Sequence, residues 1–248
     1  TRRSALSGGI PRPSHVEAFR MRGSNVFFGY YDITPASRDG SKVLGHVVRG
    51  LPRPLKGARA ASVGFFDLSR SRHFVEVAKT EAWCWQMGAR LRWLPGSEDR
   101  LITFNTTCSG RHCAAIVEAE GGRLVRSIAA PLYDITPDGS VGLSLDFARL
   151  ARMRPGYGYV DVPDRTAGEL APAVNGIWRV DMRSGERELL FSLATVAAHS
   201  PSPDMAAAQH YFNHISIAPN GEEFLFFHLW VEEPRQAQRW KSRLFTAR

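Results

Sequence analysis

The sequence predicts an all-β fold, a β-propeller of four-stranded blades, with about four blades in this stretch. Three observations predict it. Short runs rich in Val, Ile, Phe, Leu and Trp alternate with Gly, Pro, Asp and Asn turns, while helical periodicity is scarce. One turn signature returns: Tyr31-Asp-Ile-Thr-Pro35 recurs as Tyr133-Asp-Ile-Thr-Pro137 and, more loosely, within His214 to Pro219. A second hairpin follows each of these first ones, and two hairpins in succession make a blade. A β-sandwich also has many short strands, but it does not repeat one turn at one place in every unit.

The first blade takes residues 25–80, with Pro35 ending its inner strand and the turn Ser69-Arg70-Ser71 closing the hairpin Ser62 to Val77. The second takes 81–130: Leu91-Arg-Trp-Leu-Pro95 is a variant of the signature, and Glu120-Gly121-Gly122 turns the hairpin Ala114 to Ile128. In the third, 131–197, Pro137 supplies a fixed φ and Gly139 a free one, which suits a tight hairpin. Its outer hairpin, Ile177 to Phe191, turns at Arg183-Ser184-Gly185 and is preceded by a long insertion, Ala148 to Asn175. Long insertions in compact folds are often functional. The fourth, 208–248, repeats the turn as Pro219-Asn220-Gly221 and lacks its outer strand. The prolines at 35, 95, 137 and 219 recur at about one or two blade lengths of ~40 residues.

The 248 residues are 44% hydrophobic and 23% charged, ordinary for a globular chain and read as one domain over residues 1–248. Thr1 and the unfinished strand Lys241 to Arg248 read as fragment boundaries. An open set of blades leaves sheet faces wet, so the chain is expected to continue past Arg248. No run approaches the roughly 18 apolar residues of a membrane span. No leader pattern is present, and secretion stays open. Cys84, Cys108 and Cys113 form no zinc-type pattern and are read as buried free thiols, which slightly favours the cytoplasm with the periplasm left open. The net charge of +8 points to an anionic partner. Nucleic acid is not expected, because no recognition-helix or RNA-binding signature accompanies the charge.

In a propeller, the connection into each innermost strand and the connection between its second and third strands share one face. The entering segments are Phe28 to Asp32, Trp83 to Gly88, Pro131 to Asp134 and His210 to His214; the others are His46 to Lys56, Asn105 to His112, Arg149 to Tyr159 and His228 to Arg239. They supply the candidate sugar-binding residues Tyr30, Trp83, Trp85, Gln86, Asn105, Arg152, Tyr157 and Trp230. Aromatic rings stack on sugar rings, and guanidinium groups grip carboxylates with paired hydrogen bonds. Alternatives stand beside these. Tyr31, Asp32, Tyr133 and Asp134 recur at equivalent positions and read better as repeat architecture; Trp83 and Trp85 also suit inter-blade packing; Arg149, Arg152 and Arg154 also suit a solvated surface. His214 and His228 sit at the two ends of one hairpin, a spacing for two imidazoles on one metal, with Asn213, His210 or Gln86 to complete the shell. Satisfied structural histidines are the competing reading.

Over His214-Ile-Ser-Ile-Ala-Pro-Asn-Gly-Glu-Glu-Phe-Leu-Phe-Phe-His228 the chain resembles propellers of the oligogalacturonate lyase type, within the wider class of TolB-like, Pro-Asp-Gly repeat propellers. Trp83 to Trp93 and Arg149 to Tyr159 also look like uncharacterised propellers encoded among polysaccharide genes. The resemblance implies seven blades in the intact protein, and a divalent metal of the manganese type held by histidines and a glutamine. It also implies a histidine base acting on a uronate. His214 and His228 are then the metal-ligand candidates, His210 the base, and Arg149 or Arg154 the carboxylate anchor; the family's later ligands have no counterpart before Arg248. The chemistry implied is β-elimination on an acidic oligosaccharide. A sugar-recognition module without catalysis and a protein-interaction propeller are the alternatives.

Overall fold

The computed structural model describes residues 18–50, 60–70, 73–232 and 239–248. Among these residues, fifteen strands form four antiparallel meanders. The first sheet is β1 (Ser24–Phe27), β2 (Lys42–Arg49), β3 (Ala61–Asp67) and β4 (Phe74–Thr80). The second is β5 (Arg92–Trp93), β6 (Leu101–Cys108), β7 (Arg111–Glu118) and β8 (Leu124–Ile128), and the third is β9 (Asp134–Ile135), β10 (Val141–Ser144), β11 (Gly176–Asp181) and β12 (Arg187–Ser192). The fourth has three strands among the described residues, β13 (Gln209–Ile217), β14 (Phe224–Val231) and β15 (Lys241–Ala247). Among the described residues helix is confined to short connections, chiefly α1 (Phe147–Met153) and α2 (Leu193–Ala198). This is the all-β propeller of four-stranded blades that the repeat predicts. Ser71 of the first outer turn, residues 51–56 of the first mouth segment and residues 233–238 of the last lie outside the described residues.

The turns form for the reasons the sequence supplies. Asp138 accepts hydrogen bonds from the Ser140 amide and the Thr136 hydroxyl, and Gly139 takes φ 76°. The first blade builds the same turn on Asp39 and Gly40, with Ser37 and Ser41 as donors. A side chain on Gly139 would strike the Pro95 carbonyl oxygen at 2.3 Å, so the turn also permits close approach of the neighbouring blade.

The core lies between blades. Along β7, Ala115 and Val117 pack with the first blade, while Ala114 and Ile116 pack with the third. A strand buried on both faces reads as a continuous apolar run, as β7 does. Polar staples reinforce the stack at its centre. Arg90 grips Asp32 of the first blade through two bonds of 3.0 and 2.9 Å and donates to the Tyr133 carbonyl of the third at 2.8 Å. Arg92 holds Asp134 at 2.7 Å, and Asp134 in turn accepts the Ile217 amide of the fourth blade at 2.8 Å. Asp32, Tyr133 and Asp134 thus tie blades together, the architectural role their recurrence suggests.

Cys108 and Cys113 are joined in a disulfide across the β6–β7 hairpin, and only Cys84 among the three is a buried free thiol. The expectation of three free thiols is corrected. The hairpin sets these two half-cystines on neighbouring strands with Cα atoms 5.9 Å apart, within bridging reach.

Candidate functional site

Successive antiparallel strands place the inner-hairpin turns at one end of the molecule and the connections between blades at the other. At the second end lies the third-blade insertion. Asp146 caps α1 by accepting the Arg149 amide, and the helix stops at Arg154, delivering Tyr157 toward the first and fourth blades. Tyr30 is the floor: its ring lies 4.3 Å from that of Tyr31, 5.9 Å from His214 in a stacked pair and 6.3 Å from Tyr157 edge-on. Tyr157 meets His214 edge-on at 6.0 Å. The Arg154 guanidinium rests 4.3 Å over Tyr157 and 4.9 Å over Trp240. Tyr30 is buried, whereas Tyr31 is 78% exposed and Trp240 38% exposed, so the group has a wet aromatic rim.

Among the described residues the Arg154 side chain has no carboxylate partner or hydrogen bond, and neither ring nitrogen of His214 is bonded. The His214 backbone is left-handed, φ 53°, while its amide donates to the Tyr133 hydroxyl and to Asn213. Burial and the nearby Arg154 charge hold its imidazole below the usual value, with Asp32 acting in the opposite sense. Burial and the Arg154 charge both favour its neutral form. Burial, with the Tyr31 and Tyr157 hydroxyls beside it, raises the Tyr30 phenol, which stays a proton donor.

The other histidines are spent. The His210 Nε2–H donates to the Met205 carbonyl at 3.1 Å, which leaves His210 Nδ1 to accept from His228 Nε2 at 2.8 Å. His228 Nδ1 then accepts from Arg243 Nε at 3.1 Å. All four ring nitrogens are occupied, both rings are neutral, and His210 is unsuited to the role of base. His214, on β13, packs on Phe227, the strand neighbour of His228, so the two histidines lie on opposite faces of the β13–β14 hairpin. The arrangement does not fit a metal shared by His214 and His228, and among the described residues no group of three or more His, Cys, Asp or Glu could hold a metal ion.

Other expected site residues divide in the same way. Arg149 does not reach the mouth: its guanidinium, 1% exposed, donates to the carbonyls of His210, Thr166, Glu169 and Leu170 and anchors the insertion. Arg152 holds Asp164 at 2.8 Å. Asn105 is buried, exchanging hydrogen bonds with Leu132 and reaching the Tyr159 hydroxyl. Trp83 belongs to the core between the first two blades, and Trp230 is buried with its indole N–H on Asp204. Trp85 is half-exposed on Phe27, just before Tyr30 in the chain, and Gln86 beside it is exposed. The structure thus gathers Tyr30, Arg154, Tyr157 and His214 and sets the remainder in the core or apart. Sequence reasoning missed Trp240 and preferred architecture for Tyr31, which it had placed in a segment on the ligand face; an aromatic inside a loop on that face was the available signal for Trp240.

A cavity of about 1020 Å³ opens among the inner-hairpin turns at the other end. Four of its six carboxylates are occupied: Asp39 and Asp138 order their own turns, Asp99 accepts the Arg38 amide, and Glu118 pairs with Arg123.

No protein-family model and no curated protein matches the chain. Among solved structures it is similar to an oligogalacturonate lyase in complex with manganese, at 12% identity and a TM-score of 0.46, over 83% of this chain and 60% of that one. It is similar to an oligogalacturonate lyase from Vibrio parahaemolyticus at 12% identity and 0.42, over 82% and 60%, and to TolB from Acinetobacter baumannii at 12% and 0.43, over 89% and 41%. The chain therefore spans less than two thirds of each of these proteins. Likeness at this level says nothing about function. Among the described residues no helix is long and apolar enough to cross a membrane.

Proposed function

We propose that the protein binds an acidic oligosaccharide at the axial mouth, with Tyr31, Tyr157 and Trp240 as ring-stacking surfaces and Arg154 as the carboxylate anchor. The observation that carries this is the Arg154 guanidinium, laid against two aromatic rings with its donors free. Such stacking fixes the fork without spending its hydrogen bonds, which are left for an incoming carboxylate. Calorimetry with oligouronides tests it. Arg154→Ala and Tyr157→Ala are each expected to weaken binding about tenfold or more, since a hydrogen bond to a charged group contributes roughly 1.5–3 kcal/mol. Wild-type affinity in both variants would overturn the assignment.

A second reading, cleavage by β-elimination, is favoured by His214, whose neutral imidazole is unbonded beside the same arginine. His214 would take the proton next to the uronate carboxylate, Arg154 would stabilise the enediolate, and the leaving oxygen would take a proton from a tyrosine hydroxyl. A conjugated, unsaturated uronate is the product, read by its new near-ultraviolet absorbance. No metal enters this scheme, because His228 offers no free nitrogen.

A further inference from the structure

A second cleft, about 640 Å³, lies between the second and third blades and shares the insertion with the mouth: Arg154 and Tyr157 serve one, Val162 to Thr166 the other. Three exposed arginines, Arg111, Arg165 and Arg187, line it. Asp146 is the carboxylate in the lining, and it is not available to them: Oδ1 accepts the Arg149 amide at 2.9 Å and Oδ2 accepts Asn175 Nδ2 at 2.7 Å. The arginines themselves are barely committed. Arg165 reaches the Gly110 carbonyl at 3.4 Å and Arg187 the Ala129 carbonyl at 3.3 Å, and Arg111 makes no side-chain hydrogen bond or ion pair among the described residues. Arg187 also stacks on Trp178, 5.2 Å from the ring centre, beside Val174, which is 71% exposed.

Three like charges around one concavity repel one another, and they concentrate positive potential where an anion would enter. Forked donors beside an indole and an exposed aliphatic surface match a ligand with both carboxylates and carbon-rich ring faces. We propose that this cleft is a second binding site, taking a carboxylated oligosaccharide through its uronate groups. The choice of uronate over other anions rests on the reading of the mouth; the anion site itself does not.

The test is calorimetry on the full chain with a uronic acid trisaccharide, with inorganic phosphate and a sulfated disaccharide in parallel. Wild type is expected to show two sites for the trisaccharide. The combined Arg111→Ala, Arg165→Ala and Arg187→Ala variant should lose one of them, with affinity there about tenfold lower or more. Arg111→Glu alone, at a position with no contact to break, should weaken the same site without shifting the unfolding temperature. Unchanged stoichiometry and affinity in both variants would overturn the second site and leave the mouth assignment intact. Loss in these variants, with Arg154→Ala and Tyr157→Ala unaltered, would support the cleft and overturn the mouth. Phosphate or sulfated sugar binding as tightly as the trisaccharide would overturn the uronate assignment, and silence with every probe would overturn both sites.

Discussion

His214 holds a left-handed backbone at φ 53°, a conformation that costs a non-glycine residue about 1–3 kcal/mol and gathers at functional sites. Asparagine tolerates that region, so His214→Asn separates folding from chemistry. The variant is expected to fold and bind oligouronide while any elimination rate falls roughly 10²–10⁴-fold, the usual contribution of a general base. An undiminished rate of unsaturated product would remove His214 from that role. Arg149 has the opposite character. Its buried guanidinium donates to four main-chain carbonyls, so Arg149→Met strands those acceptors and is expected to cost about 3–5 kcal/mol in urea unfolding. A loss below about 1 kcal/mol would show that the insertion is held by other contacts.

The β6–β7 hairpin carries the disulfide, and its strands also reach across to the third blade. Thr107 donates to Asp161, and His112 Nε2 lies 3.0 Å from the same carboxylate. A staple of this kind constrains the hairpin that forms one wall of the arginine cleft. Thiol titration of the unfolded, unreduced chain is expected to find one thiol, Cys84, and three after reduction; three before reduction would refute the bridge. The β13–β14 hairpin is governed by its histidine chain, which runs from Arg243 through His228 and His210 to Met205. Arg243 also donates to the Val196, His199 and Ser200 carbonyls, closing the end of α2. The pair is therefore a structural joint.

At the scale of the whole molecule, burying His46 and His228 in their neutral form gives stability a pH dependence. Burial lowers His46 to about 4 and, with His210 and Arg243 beside it, lowers His228 to about 3, against 6.5 for an ordinary imidazole. Below about pH 6.5 the unfolded chain takes up protons that the folded chain refuses. Stability is full above that value, is lost progressively as pH falls toward the folded-state values, and levels off beneath them. Thermal unfolding between pH 7.5 and 4 checks this, and His228→Phe should flatten the slope. A flat profile in wild type would mean that these rings are protonated in the fold.

The blade repeat was legible because its causes are local: alternating apolar residues, an aspartate that orders its own turn and a glycine free to take positive φ. The sequence also nominated Tyr30, Arg154, Tyr157 and His214, the last as a metal ligand, and the fold brings these four side chains together. Which side chains remained free was decided only in three dimensions. Arg149 and Arg154 stand five positions apart in one insertion, yet the first turns into a nest of carbonyls and the second onto exposed rings. His210 and His228 are silenced by Met205 and Arg243, and Asn105 by Leu132, partners supplied by other segments. A polar group's chemistry is set by whether its hydrogen bonds are already taken, and those partners are assigned by packing between blades that no local pattern records.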